Sequence, residues 1–133
     1  MNASSPGLSP RTVVEHYFAA VNAEDFDTLR RVLHPEIELT ACMSRPRQGL
    51  ESVIRFFRAV FERYPVHSDI ATRLICDGDT VVADIHFEGR TDTGIDITFE
   101  AVDVFDLTDG RIRRLSQWFD SADLQRQLRS PKP

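Results

Sequence analysis

The stretch FEAVDVFDLTDGRIRRLSQWFD, residues 99–120, sets a carboxylate in an otherwise apolar strand: Asp103 stands between Val102 and Val104. Side chains alternate faces along a strand, so Phe99, Ala101, Asp103 and Phe105 share one side and Val102 and Val104 the other. If the first side faces the interior, the Asp103 carboxyl loses water. Its pKa then rises and its neutral form becomes a hydrogen-bond donor. A neutral acid beside a phenol can steady an oxygen on which negative charge develops. On the outer face, Asp103 would sit in water or at a contact between copies. The phenol in question is Tyr17. It is either the partner of Asp103 or a core aromatic whose hydroxyl is tied to a backbone carbonyl.

A second pair, Asp84 and His86, lies in VVADIHFEG. A histidine with a carboxylate neighbour is a general base suited to neutral pH. Their placement hangs on the turn at Asp92-Thr93-Gly94. A two-residue turn opposes Phe99 to His86 and Ala101 to Asp84, and directly opposed residues share a face. A three-residue loop slips the register by one and turns both outward, leaving Val81, Ala83, Ile85 and Phe87 as the core face. Both registers remain open, and the inward one is the expectation. Glu100, of opposite parity to Asp103, is expected in solvent. Asp120, ahead of Ser121, reads as a helix N-cap. His34 before Pro35 reads as a charge complement to a helix end, and His16 and His67 read as exposed. No His, Cys or acid spacing suits a metal, and there is no glycine-rich phosphate loop or nucleophile elbow. Neither metal nor nucleotide cofactor is expected.

These residues need a scaffold. Ser9-Pro10 is a helix start, and Val13, Val14, Tyr17, Phe18 and Val21 recur at helical spacing over about residues 10–22. Asp25 caps a short helix with Phe26, Leu29 and Leu33, ended by Pro35. Ile37, Leu39 and Ala41 alternate with Glu38, Thr40 and Cys42 as a strand. Leu50, Val53, Ile54, Phe57, Val60 and Phe61 stripe a third helix that stops before Pro65. The period then drops to two, giving strands at about 67–76, 80–90, 95–107 and 111–119 joined by Gly-containing turns. A last helix runs through Leu128. This is an α+β layout. Long strands wrapped around helices form a cone with an apolar hollow, the usual place for a small ligand.

The 133 residues suit one domain over 10–129, with 1–9 a loose lead-in and 130–133 a loose tail. A net charge of −5 argues against a nucleic-acid partner, and Arg45, Arg47, Arg55 and Arg58 read as a solvated face. No apolar run is long enough to cross a bilayer, and MNASSPGLSP lacks the parts of a signal peptide. Cys42 and Cys76 without spacing partners fit a reduced, cytoplasmic protein.

VVEHYFAAVNAEDFDTLRRVLHPEIEL, RPRQGLESVIRFF and VDVFDLTDGRIRRLSQWFD carry a resemblance to the nuclear-transport-factor-2-like superfamily over residues 11–129. More narrowly, the chain resembles the branch of ketosteroid isomerases, SnoaL-type polyketide cyclases and limonene-epoxide hydrolases. The resemblance implies the cystatin-like cone and turns Asp103 inward. Tyr17 matches the isomerase's oxyanion-hole tyrosine, and Asp103 its oxyanion-hole aspartic acid, kept neutral to donate a hydrogen bond. The isomerase's carboxylate base falls at Thr40, or at Glu38 if the alignment slips. The acid of the cyclases and hydrolases on the last strand is replaced by Gln117, and Asp103 stands where the cyclase has a histidine. The hydrolase's Arg and Asp fall near Asp84 and His86, so that triad is absent.

The implied protein is a cofactor-independent enzyme of the isomerase or cyclase type, moving a proton beside a carbonyl in an apolar ligand. Asp103 and Tyr17 would hold the oxygen, and His86, aided by Asp84, would shuttle the proton. Gln117, Phe119, Leu115, Phe99, Ala101, Phe57 and Thr40 would line the pocket. Trp118 faces out, fitting a homodimer through the sheet. A binding protein without chemistry and an epoxide hydrolase are the alternatives.

Overall fold

The computed structural model describes residues 7–129. Helix α1 (Pro10–Ala23) starts where Ser9 Oγ accepts the Thr12 N–H at 3.1 Å, and Pro10 occupies the first turn. Its apolar stripe is buried from Val13 to Val21. It ends at Glu24, whose left-handed φ of 53° turns its N–H back onto the last carbonyls. Asp25 caps α2 (Phe26–Val32) through the Thr28 N–H. Strand β1 (Leu33–Ala41) follows at once. Pro35, expected to end a helix, lies inside this strand. The register between Leu33 and Glu38 is irregular, so a residue without an N–H is tolerated there. His34 directly follows Leu33, the C-cap of α2, and its Nδ1 accepts the Glu36 N–H.

A two-residue strand, β2 (Arg47–Gln48), too short to show a period, leads into α3 (Leu50–Arg63). Four long strands follow: β3 (Val66–Asp77), β4 (Thr80–Arg90), β5 (Asp96–Thr108) and β6 (Arg111–Phe119). Helix α4 (Ser121–Arg129) comes last, with Asp120 Oδ1 accepting the Asp123 N–H as the N-cap. The six strands form one curved, unclosed sheet in the order β2-β1-β6-β5-β4-β3. Only β1 and β6 run parallel; the other pairs are antiparallel. The concave face holds Leu39, Ala83, Ile85, Phe105 and Leu115, packed against Val14, Tyr17, Phe18, Ile54 and Phe57 of α1 and α3. A smaller cluster of Phe87, Ile97 and Leu124 seats α4 against the far ends of β4 and β5. The architecture is the α+β cone. Of the expected lead-in over 1–9, residues 1–6 lie outside the described residues, as does the expected tail over 130–133; Ser9 belongs to the cap of α1. Among the described residues no helix is long and apolar enough to cross a membrane.

The β4–β5 loop decides which face Asp84 and His86 take. Arg90 pairs with Asp96, and Thr91 N–H donates to the Ile95 carbonyl across the three residues Asp92-Thr93-Gly94. Gly94, at φ 90°, closes the loop, and Thr91 Oγ1 accepts the Ile95 N–H. His86 therefore opposes Glu100, and Asp84 opposes Val102. The inward expectation for both is corrected: Val81, Ala83, Ile85 and Phe87 are the buried face, and Asp84 and His86 lie on the convex side.

Candidate functional site

A cavity of about 180 Å³ opens between the concave sheet and helices α1, α3 and α4. Its walls are aromatic. Phe87 stacks on Phe99 at 4.7 Å, Phe99 lies 4.9 Å from Phe119, and Phe57, Phe61 and Tyr64 face them from α3 and its end. Ala101, between Phe99 and Asp103 on β5, supplies a small floor residue.

Asp103 points into this space and is only 4 % exposed. Burial first, and then the negative charge of Asp69, pushes its carboxyl well above the usual range; a Gln117 hydrogen bond opposes the rise. Tyr17, 2 % exposed, lines the same space. Burial likewise raises its phenol, with Asp103 and Asp69 adding to the rise. Gln117 stands between them. Its Nε2 donates to Tyr17 Oη at 3.4 Å and to Asp103 Oδ2 at 3.5 Å. Both bonds are long. The arrangement offers a buried carboxyl and a buried phenol, both with raised pKa, and one amide, facing a hydrophobic hollow.

Of the expected lining residues, Gln117, Phe119, Phe99, Ala101 and Phe57 border the cavity. Two do not. Leu115 faces inward but is fully buried in the packed core. Thr40 alternates with the buried Leu39 and Ala41 and pairs with Ser116, so it takes the other face; Ala41 and Cys42 reach the cavity instead. Asp84 is bound by Arg73, with 2.7 Å from Nη2 to Oδ2. His86 lies between Glu100, 2.5 Å from Nδ1, and Glu88, 2.9 Å from Nε2. Neither reaches the cavity. Arg45, Arg55 and Arg58 are exposed, whereas Arg47 is half-buried over the Phe56 ring.

His67 and Asp69 are among the cavity residues that escaped the sequence reading. His67, expected in solvent, has a side chain only 4 % exposed, stacked on Phe61 at 4.9 Å and 4°. Its Nε2 is 2.9 Å from Glu24 Oε2, and its Nδ1 is 3.8 Å from Asp69 Oδ2. The two carboxylates raise its pKa against the opposing effect of burial. Asp69 lines the cavity beside it. The alternation His67, Asp69, Ala71 was the available signal, but Ile70 and Ile75 obscured it. A bulge between Ala71 and Arg73 shifts the parity of β3, so both isoleucines face outward and no single period of two fits the strand.

Among the described residues no group of three or more His, Cys, Asp or Glu could hold a metal ion. Both cysteines are free, Cys42 at the cavity and Cys76 on the surface.

Several solved structures share this fold. A protein provisionally assigned as a SnoaL-like polyketide cyclase from Jannaschia sp. CCS1 superposes with a TM-score of 0.87 at 20 % identity, over 99 % of both chains. TerC, crystallised with polyporic acid, gives 0.83 at 19 % identity over 92 % of this chain and all of its own. An LEH-like epoxide hydrolase of M. tuberculosis gives 0.78 at 23 % identity over 90 % of this chain and 88 % of its own. At these identities the likeness establishes the fold. No curated protein shows a significant sequence match. The model of the SnoaL-like domain matches residues 14–115, from the first helix to the strand that carries Gln117, and on that match the chain belongs to the SnoaL-like branch of the nuclear-transport-factor-2-like superfamily.

Proposed function

We propose that the protein is a cofactor-independent enzyme of the isomerase or cyclase type, acting on an apolar carbonyl compound. One observation carries the reading: a carboxyl and a phenol, both buried and both pushed toward their protonated forms by burial, share one aromatic cavity. A carbonyl oxygen lodged between Asp103 and Tyr17 gains charge as a neighbouring C–H proton leaves. Two preset donors then stabilise the enolate more than the ketone, typically by about 3–4 kcal/mol per donor. Gln117 can donate and accept but cannot supply a proton, so its part is to orient the oxygen. The cavity suits one or two rings. A fold relative crystallised with polyporic acid and another provisionally assigned as a polyketide cyclase fit such a ligand.

4-Nitrophenol, whose oxygen mimics the charged enolate, tests the oxygen site by its absorbance shift on binding. Asp103→Leu and Tyr17→Phe should each weaken binding about tenfold or more. Wild-type affinity in both variants rejects the role.

A binder without chemistry is the second reading, favoured by Gln117 at the family's acid position. A ligand that survives unchanged in the cavity would select it. Hydrolysis of an epoxide loses its support from Asp84 and His86, which lie on the convex face. Oxygen-18 from solvent appearing in product would restore it. The same convex face exposes Trp118, Val102, Ile70 and Ile75, and we propose it as the contact between two copies. Sedimentation of Trp118→Arg as a monomer, against a dimeric parent, would bear this out; equal mass in both would not.

A further inference from the structure

An enolate-forming site needs a base as well as an oxygen clamp, and Thr40, at the family's base position, faces away. Asp69 on β3 and Asp103 on β5 flank β4 on the concave wall and line the same cavity. The charge of Asp69 reaches both Tyr17 and Asp103.

The surroundings of Asp69 hold it in place. Its N–H donates to Asn22 Oδ1 at 2.8 Å, and Asn22 Nδ2 donates to its carbonyl at 2.9 Å. β3 is an edge strand, and the Asn22 amide there substitutes for a missing neighbour. The His67 ring stands between the Asp69 carboxylate and Glu24, which is 42 % exposed at the end of α1. Asn22 and Glu24 sit at the end of the helix that carries Tyr17, so α1 positions both the phenol and the carboxylate. The titratable groups around Asp69 are His67 on its own strand, Glu24 and Tyr17 from α1, and Asp103 from β5.

We propose that Asp69 is the base of this site, with Asn22, His67 and Glu24 as its positioning residues; the assignment rests on the oxygen-holding role of Asp103 and Tyr17. In the reaction, the Asp69 carboxylate takes a proton from carbon. The C–H electron pair forms the enolate double bond, and the carbonyl π pair moves to the oxygen held by Asp103 and Tyr17. Where a further double bond of the substrate extends the enolate into a dienolate, returning the proton to its far carbon as the carbonyl re-forms restores Asp69.

The probe is 5-nitrobenzisoxazole, uncharged and of two fused rings. A base takes its C3 proton, the C–H pair becomes the third C–N bond, and the N–O bond breaks with its pair left on oxygen. The product is the coloured 2-cyano-4-nitrophenolate, and nothing else is consumed. The wild-type protein should open the probe, and Asp69→Asn, which keeps both backbone contacts to Asn22, should lower kcat/KM about 100-fold or more. His67→Gln should lower kcat about tenfold with KM unchanged, because the carboxylate loses the ring that fixes its direction. A purely structural His67 would lower the fraction of folded protein and leave kcat per folded molecule unchanged. His86→Gln, on the convex face, should leave both constants unchanged.

A wild-type protein inert toward the probe overturns the assignment, as does Asp69→Asn at full rate. So does loss of the reaction in Asp103→Asn alone, which would make Asp103 the base. 4-Nitrophenol binding, which needs Asp103 and Tyr17 but not Asp69, separates the two levels. Binding without ring opening overturns only the base, and absence of binding overturns the oxygen site beneath it.

Discussion

The two faces of the sheet each carry a histidine held between two carboxylates, and each carries an aspartate in mid-strand. On the concave face these are His67 and Asp103; on the convex face they are His86 and Asp84. The side chain of His67 is 4 % exposed and that of His86 is 35 % exposed. Asp84 has an arginine partner and water, whereas Asp103 has neither a cation nor solvent, and burial pushes its pKa up instead. Identical side chains thus become surface ion pairs on one side of a pleated layer and buried cavity groups on the other. What separates them is removal of water, not residue type.

The largest effect that tests this contrast is on packing. Phe105→Ala removes a fully buried ring that meets Tyr17 at 5.1 Å and Phe18 at 5.7 Å, and should cost about 3–5 kcal/mol in urea unfolding. Val102→Thr, three residues earlier on the convex face, should stay within about 0.5 kcal/mol. Gly89→Ala should cost about 1–3 kcal/mol. Its new Cβ would come within 2.8 Å of the Phe87 ring and 3.0 Å of the Val66 carbonyl, pressing on an aromatic wall of the cavity.

Asp103→Asn should raise the melting temperature at pH 8, with the gain shrinking toward pH 4. The sign follows from linkage. A carboxyl whose folded pKa is raised adds stability below its unfolded value of about 3.9 and loses it as pH rises through the folded value. A wild-type protein as stable as the variant at pH 8 would mean the carboxyl is not excluded from water.

The smallest effect separates the histidines. Carboxylate neighbours raise both above the ordinary imidazole value, Asp69 and Glu24 for His67, Glu100 and Glu88 for His86. In about 1 M salt, where screening acts over about 3 Å, the exposed His86 should fall back further than His67 in an NMR titration. Equal shifts would erase the distinction.

Much of the scaffold was legible because its signals are local. Ser9, Asp25 and Asp120 announce helix starts by side chains that bond the next turn. Two-residue turns close the hairpins, Gly78-Asp79 with positive φ at its glycine and Asp109-Gly110 with positive φ at both residues. The alternation on β5 sorted Asp103 and Phe105 from Val102 and Val104, and the family resemblance said which set faces inward. What failed depends on counting across distance. One residue in the β4–β5 loop moved Asp84 and His86 to the other face, and the bulge in β3 concealed His67 and Asp69. Hydrophobicity does not encode either insertion, because the residues flanking it keep their character while their direction reverses.

The Gln117 amide between Tyr17 and Asp103 has a further consequence. Its two ends are alike in size and opposite in polarity, and turning it over exchanges donor for acceptor in place. With the amino end inward, as it stands, the two hydroxyls are left to donate into the cavity. With the carbonyl end turned inward instead, it would accept those protons and withdraw them from a guest. The cluster can reverse its polarity by a single side-chain rotation, leaving the surrounding aromatic walls where they stand.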